Sequence, residues 1–213
     1  YSGAGVNVAD VMVGDGSVKM YTGLSHAILQ LGAPVDASAM THLHVDIWTP
    51  DATSFLIKLV DTTNPWPAYT EGPVTISATT TPALTAGQWV SLDINLDDLI
   101  ANTALASKAS IGEIVIEAVE QTGKTVYLDN MYFYAAGDDG DGDGDGGGDT
   151  VETSPSAEAP VPVALSADVS SIFSDAYTDE AGTNFANQYS GAGVNVADVM
   201  VGDGSVKMYT GLS

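Results

Sequence analysis

The densest run of potential ligands is Ala136–Thr150, AGDDGDGDGDGGGDT. Asp138, Asp139, Asp141, Asp143, Asp145 and Asp149 place six carboxylates within twelve residues, with no basic residue among them. Asp141-x-Asp143-x-Asp145-Gly146, followed by Glu152, satisfies the calcium-loop spacing D-x-D-x-D-G-x5-E, with Gly147 at the carbonyl position and Asp149 at the ninth. Calcium takes about six to eight hard oxygen ligands, and glycine permits the tight turns that gather them. The pattern therefore predicts calcium held by Asp139, Asp141, Asp143, Asp145, Asp149 and Glu152. A solvated Gly-Asp spacer would satisfy the same spacing, and the flanks are a strand and a Pro-rich run rather than two helices. Without a cation the tract should be an extended, self-repelling coil.

Other residue types offer less. His42 and His44, two apart on a strand, point to one face, a geometry open to zinc but equally to a packed or solvated face. Trp66 and Tyr69 sit in the Pro-framed stretch Asn64-Pro65-Trp66-Pro67 and are the candidates for stacking on a sugar ring. A loop Trp can equally plug a contact between modules. Trp48 and Trp89 read as packing residues. There is no Gly-x-Ser-x-Gly, no zinc-protease helix and no cysteine nucleophile, and no enzyme is expected.

The acids set the partners. The 28 acidic residues against 5 basic ones give a net charge of −23, which argues against nucleic acid or an anionic membrane surface and for cations. No apolar run reaches transmembrane length. Cysteine is absent, so core packing or metal must stabilise the fold. The composition fits a bacterial extracellular or cell-surface protein.

The elements that position these residues are organised by a repeat. Tyr1–Ser25, YSGAGVNVADVMVGDGSVKMYTGLS, recurs letter for letter as Tyr189–Ser213 at an offset of 188 residues. This predicts a tandem array. Residues 1–136 are then a module lacking its N-terminal strand, 137–165 an acidic Gly/Asp and Pro-rich linker, and 166–213 the start of the next repeat. A copy of Ser166–Gln188 from the preceding unit should supply the missing strand, through ladder contacts of Ile172, Phe173 and Tyr177.

Strands are expected at Val6–Val13, Val18–Tyr21 (after a Gly14–Ser17 hairpin turn), His26–Leu31, Leu43–Thr49, Phe55–Val60, Val74–Ala78, Trp89–Ile94, Ile114–Ala118, Thr125–Tyr134 and Ser171–Tyr177. In Leu43–Thr49 the residues Leu43, Val45, Ile47 and Thr49 face one way. His44, Asp46 and Trp48 face the other. Gly32–Pro34 should end the third strand, and Asp61–Gly72 should be an exposed loop. Leu96–Ser107 is the one helix candidate. The sum is an all-β antiparallel sandwich or jelly roll.

Three stretches taken together carry a family likeness: Ile172–Tyr177 with Gly182-Thr183-Asn184-Phe185, Val35–Thr49 (VDASAMTHLHVDIWT), and Val126–Tyr134 (VYLDNMYFY). The chain resembles the β-sandwich modules of carbohydrate-binding type found in secreted bacterial glycoside hydrolases and surface proteins. The resemblance implies a jelly roll with a structural calcium near the first and last strands, Asp129 and Asp175 being its ligands. The expected function is that of an extracellular structural repeat protein, a fibre, adhesin stalk or matrix polymer with calcium-stabilised linkers, whose partner is itself. The alternative is a glycan-binding module array.

Overall fold

The computed structural model describes residues 6–24, 26–119, 123–136, 154–185, 194–201 and 204–211, with residues 7 and 194–211 as backbone only. The strands in chain order are β1 (Asn7–Val13), β2 (Gly16–Leu24), β3 (His26–Val35), β4 (His42–Trp48), β5 (Ser54–Asp61), β6 (Thr70–Ser77) and β7 (Trp89–Asn95). After the helix α1 (Leu96–Asn102) come β8 (Ile111–Glu117), β9 (Lys124–Tyr134), β10 (Val169–Phe173), β11 (Val194–Val201) and β12 (Gly204–Gly211). They form two antiparallel sheets. The larger runs β11-β12-β1-β2-β9-β4-β7, with β10 also on β9, and the smaller runs β3-β8-β5-β6. The fold is an all-β sandwich, and no helix among the described residues is long and apolar enough to cross a membrane.

Period-two alternation builds the core. Leu43, Val45 and Ile47 of β4 are fully buried between the sheets, together with Leu92 and Ile94 of β7, Phe55, Ile57 and Leu59 of β5, and Val126, Leu128, Met131 and Phe133 of β9. The opposite face of β4 is buried too: Asp46 is 0% and Trp48 2% exposed. Trp48 meets Tyr127 edge-on at 5.2 Å, within a small cluster that also holds Val13 and Val18. Residues 154–165 cover part of this outer face. Trp89 Nε1 donates to Ala157 O (2.9 Å), Asn130 Nδ2 to Pro160 O (2.9 Å) and Tyr177 Oη to Ala164 O (2.7 Å). Ala159 is buried. The second half of the expected linker is thus docked as a strap on its own sheet.

Several elements differ from expectation, each for a local reason. β3 does not stop at Gly32–Pro34. It continues to Val35 through a register shift against β8. Gly32 is needed there, because a Cβ would meet Ala181 O at 2.1 Å. β6 begins at Thr70 and includes Pro73, a residue tolerated because β6 is the edge of its sheet. The expected loop therefore shortens to residues 62–69. α1 ends at Asn102 rather than Ser107. Asn95 caps its start by accepting from the amides of Asp97 and Asp98, and Thr103 Oγ1 closes its end on Leu99 O at 2.7 Å. The strand expected over Ser171–Tyr177 is shifted to Val169–Phe173.

The segment 169–185 ties the sheets together. β10 pairs with β9 in the larger sheet, while Gln30 of β3 exchanges two backbone hydrogen bonds with Asn184 (2.9 and 2.7 Å). Between them Phe173 and Phe185 pack edge-on at 5.8 Å, and Lys19 Nζ lies over both rings at 4.6 and 4.4 Å. Lys19 is also ion-paired to Asp10.

Candidate functional site

The edge of β9 is divided. Its first half, residues 124–128, pairs with β2, and its second half, residues 131–134, pairs with β10. The break between them is a bulge. Opposite β4, His44 faces Tyr132 and Asp46 faces Asp129, so Asn130 and Met131 oppose the single residue Val45. Asn130 sits at φ +47°, a left-handed conformation that asparagine accepts more readily than other non-glycine residues. Its side chain is fully used. Nδ2 donates to Asp46 Oδ2 (2.7 Å) and to Pro160 O, and Oδ1 accepts from Ser174 Oγ (2.8 Å). One residue thus joins β4, β9, the strap and the turn after β10.

The bulge turns two successive polar residues, Asp129 and Asn130, to the same outer face, and carboxylates gather there. Asp46 and Asp129 are directly opposed across the strands. Asp46 is satisfied by Asn130 and by Ser91 Oγ at 2.5 Å. Asp129 accepts only a bond from the Asn130 amide among the bonds described, at 2.7 Å. Burial above all, with the nearby charges of Asp175, Asp46 and Glu158, raises the Asp129 carboxyl to about 7 against the lowering effect of that hydrogen bond. Asp175 and Glu158 flank the β1–β2 turn, accepting from the amides of Ser17 and Asp15. Asp129 and Asp175, named from sequence, are therefore electrostatic neighbours, and the structure adds Asp46 and Glu158 beside them. The side chains gathered here offer oxygen donors only, the donor type calcium takes. Among the described residues no three His, Cys, Asp or Glu side chains converge closely enough to enclose a metal. Asp139, Asp141, Asp143, Asp145, Asp149 and Glu152 lie outside the described residues.

The two histidines are committed elsewhere. His42 stacks on Tyr134 at 5.3 Å and His44 on Tyr132 at 4.8 Å, each being a cross-strand pair of β4 and β9. Burial works against a charge on His44. Asp46 (3.4 Å) and Asp93 (2.8 Å) outweigh it and raise the imidazole to about 9, making an ion-pair residue rather than a neutral metal ligand.

The predicted aromatic pair is together and open. Trp66 and Tyr69 lie 5.4 Å apart at 37°, and Trp66 is 77% exposed. Ile172 is buried in the main core, Phe173 pairs with Met131, and Tyr177 packs edge-on to Tyr132 at 5.0 Å. These contacts come from the segment that follows residues 137–165, within the same chain.

No protein-family model matches the chain, and no curated protein does. Solved structures do resemble it. The family 30 carbohydrate-binding module of a cellulosomal cellulase of Clostridium thermocellum is 14% identical, with a TM-score of 0.46 over 60% of this chain and 80% of that one. Two further crystal structures of family 30 carbohydrate-binding modules are 14% and 16% identical, with TM-scores of 0.48 and 0.42. They cover 63% and 53% of this chain and 76% and 72% of their own.

Asp46, Asn130 and Glu158 had no local signal in the sequence. Asn130 lies in the distinctive Leu128-Asp129-Asn130 run, but only the cross-strand register shows that it stands at a bulge.

Proposed function

We propose that the chain is an extracellular structural repeat module, a sandwich bead joined in series with its neighbours into a fibre, stalk or matrix. The support for joining in series is the repeat in the sequence, since the divided edge of β9 is completed within the chain itself, by β2 and by β10. An unpaired edge there would leave backbone groups and core exposed. The letter-for-letter repetition of Tyr1–Ser25 and the net charge of −23 support the same reading. Calcium is the proposed cofactor. Asp129 and Asp175 are its proposed ligands, and its charge would offset the crowding of carboxylates at the bulge. Asp139, Asp141, Asp143, Asp145, Asp149 and Glu152 are proposed as a second calcium locus that stiffens the connection. The test is the mass of the native polypeptide under denaturing conditions, expected to be several times the 21.8 kDa of this chain. A native chain no longer than this one, remaining a monomer in solution, would refute the reading.

A second reading, glycan binding, is supported by the exposed Trp66 ring, tilted against the half-buried Tyr69. A glycan array probed with the wild type and with Trp66→Ala tests it. Binding that survives the substitution would exclude this pair as the platform.

A further inference from the structure

A lysine and an aspartate meet on the inner face of the larger sheet. Asp10 of β1 and Lys19 of β2 are directly opposed, so both side chains stand on one face. That face is the core face. Asp10 alternates with Val6 and Val8, each 1% exposed, and Lys19 with the fully buried Tyr21. Lys19 Nζ touches Asp10 Oδ1, and the two side chains are only 10% and 16% exposed. Phe173 and Phe185 shield the pair, with Nζ lying over both rings. A charged pair in such a place loses much of its hydration, and that loss can exceed the attraction between the charges. Asp179 stands close by. It accepts from Ser171 Oγ (2.6 Å) and from the Ser174 amide (3.0 Å). Burial raises its carboxyl against those two bonds and against the nearby charge of Lys19.

We propose that Lys19 and Asp10 condense to an intramolecular isopeptide bond in the folded chain, with Asp179 relaying the proton. A proton passes first from the ammonium to the Asp10 carboxylate, leaving a neutral amine against a neutral carboxylic acid. The lone pair of Nζ attacks Cγ of Asp10 and forms the Nζ–Cγ bond. The nitrogen of the tetrahedral adduct gives up one proton, through Asp179, to the departing hydroxyl. The Cγ–O bond breaks and one water leaves. No oxidant, reductant or other co-reactant is consumed. The closed, largely apolar setting favours the product, because the amide carries no charge that needs hydration. Holding the two groups in contact replaces the encounter that a free amine and acid would need. Phe173, Asp179 and Phe185 all come from the segment 169–185, so the site is complete only once that segment has docked, and the bond follows folding. It locks β1 to β2, so that β1 cannot be peeled from its sheet. The inference concerns a single bead and does not rest on joining in series.

The chain's few lysines make the test direct. Trypsin cuts an unlinked chain after Lys19 and Lys58 and releases peptides 1–19 and 20–58. It does not cut after an acylated lysine. The full chain is purified folded, incubated at neutral pH, then denatured and digested. The expected intact mass is below the sequence mass by one water. The expected digest contains an uncut peptide 1–58 with the same deficit, whose fragmentation places the bond between Asp10 and Lys19. Lys19→Arg keeps the charge but cannot condense in this way, and should show the sequence mass with the near-UV spectrum of the wild type. Asp179→Asn should slow the appearance of the linked peptide by about 100-fold or more with that spectrum unchanged, and Asp179→Glu should restore part of the rate. Release of peptides 1–19 and 20–58 from the wild type after prolonged incubation, at full sequence mass, would overturn the proposal and leave a buried ion pair. Linkage of Asp179→Asn at the wild-type rate would overturn the role given to Asp179.

Discussion

Asp129 stands where an uncompensated charge should be most costly. Its carboxyl is raised from 3.8 to about 7 and its side chain is nearly buried, at 5% exposure. A carboxyl raised in the folded state binds its proton more tightly there than in the unfolded chain. Unfolding free energy therefore falls as pH rises from the ordinary carboxylate range through about 7, and the penalty is complete above that. At 1.36 kcal/mol per tenfold, the full penalty is on the order of 4 kcal/mol. Asp129→Asn removes the charge but keeps a carbonyl oxygen to accept the Asn130 amide. In the presence of chelator, urea unfolding should show the variant more stable than wild type by up to about 4 kcal/mol near pH 8, the gain vanishing near pH 4. Added calcium should stabilise the wild type more than the variant. A variant less stable than wild type near pH 8 in chelator would show that the Asp129 charge is already compensated, and would refute the argument.

Four further outcomes follow from named contacts. Asn130→Ala loses three side-chain hydrogen bonds and keeps a left-handed backbone, and should cost about 3–4 kcal/mol in denaturant unfolding. Ile172→Ala should cost about 2–5 kcal/mol and expose residues 169–185 to protease, because a fully buried side chain is removed from β10. His44 contributes stability that is complete below its ordinary value of 6.5 and lost as pH rises through about 9, so His44→Gln should flatten the alkaline limb of the stability profile. Trp66→Ala should leave the melting temperature within about 1 °C, since the ring is 77% exposed, while abolishing any glycan binding.

What the sequence reveals depends on whether the controlling contact is local. The alternation of Leu43, Val45 and Ile47 marks β4 and its buried face without help. It places Asp46 and Trp48 on the other face but cannot say that this face is buried. The residues that cover it, around Ala157–Pro160, lie more than a hundred positions away and read as a linker. Gly32–Pro34 reads as a stop because nothing nearby tells that the 181–182 backbone lies against Gly32. Pro73 reads as loop unless β6 is known to be an edge. The same holds at the site. Asp129 and Asp175 are carried by a family likeness, whereas Glu158 joins them only because the strap folds back. The pairing of Trp66 with Tyr69 is legible from spacing alone, since three residues in a Pro-bounded loop keep two rings close.

The central claim is that each bead is completed at β9 by both β2 and β10 and is joined to its neighbours in series. An electron cryomicroscopy map of the native assembly tests it most directly. The account predicts beads repeating along one axis, each with β10 beside residues 131–134 of β9 and β2 beside residues 124–128. Dispersed single sandwiches, or beads in which the second half of β9 has no strand beside it, would contradict it.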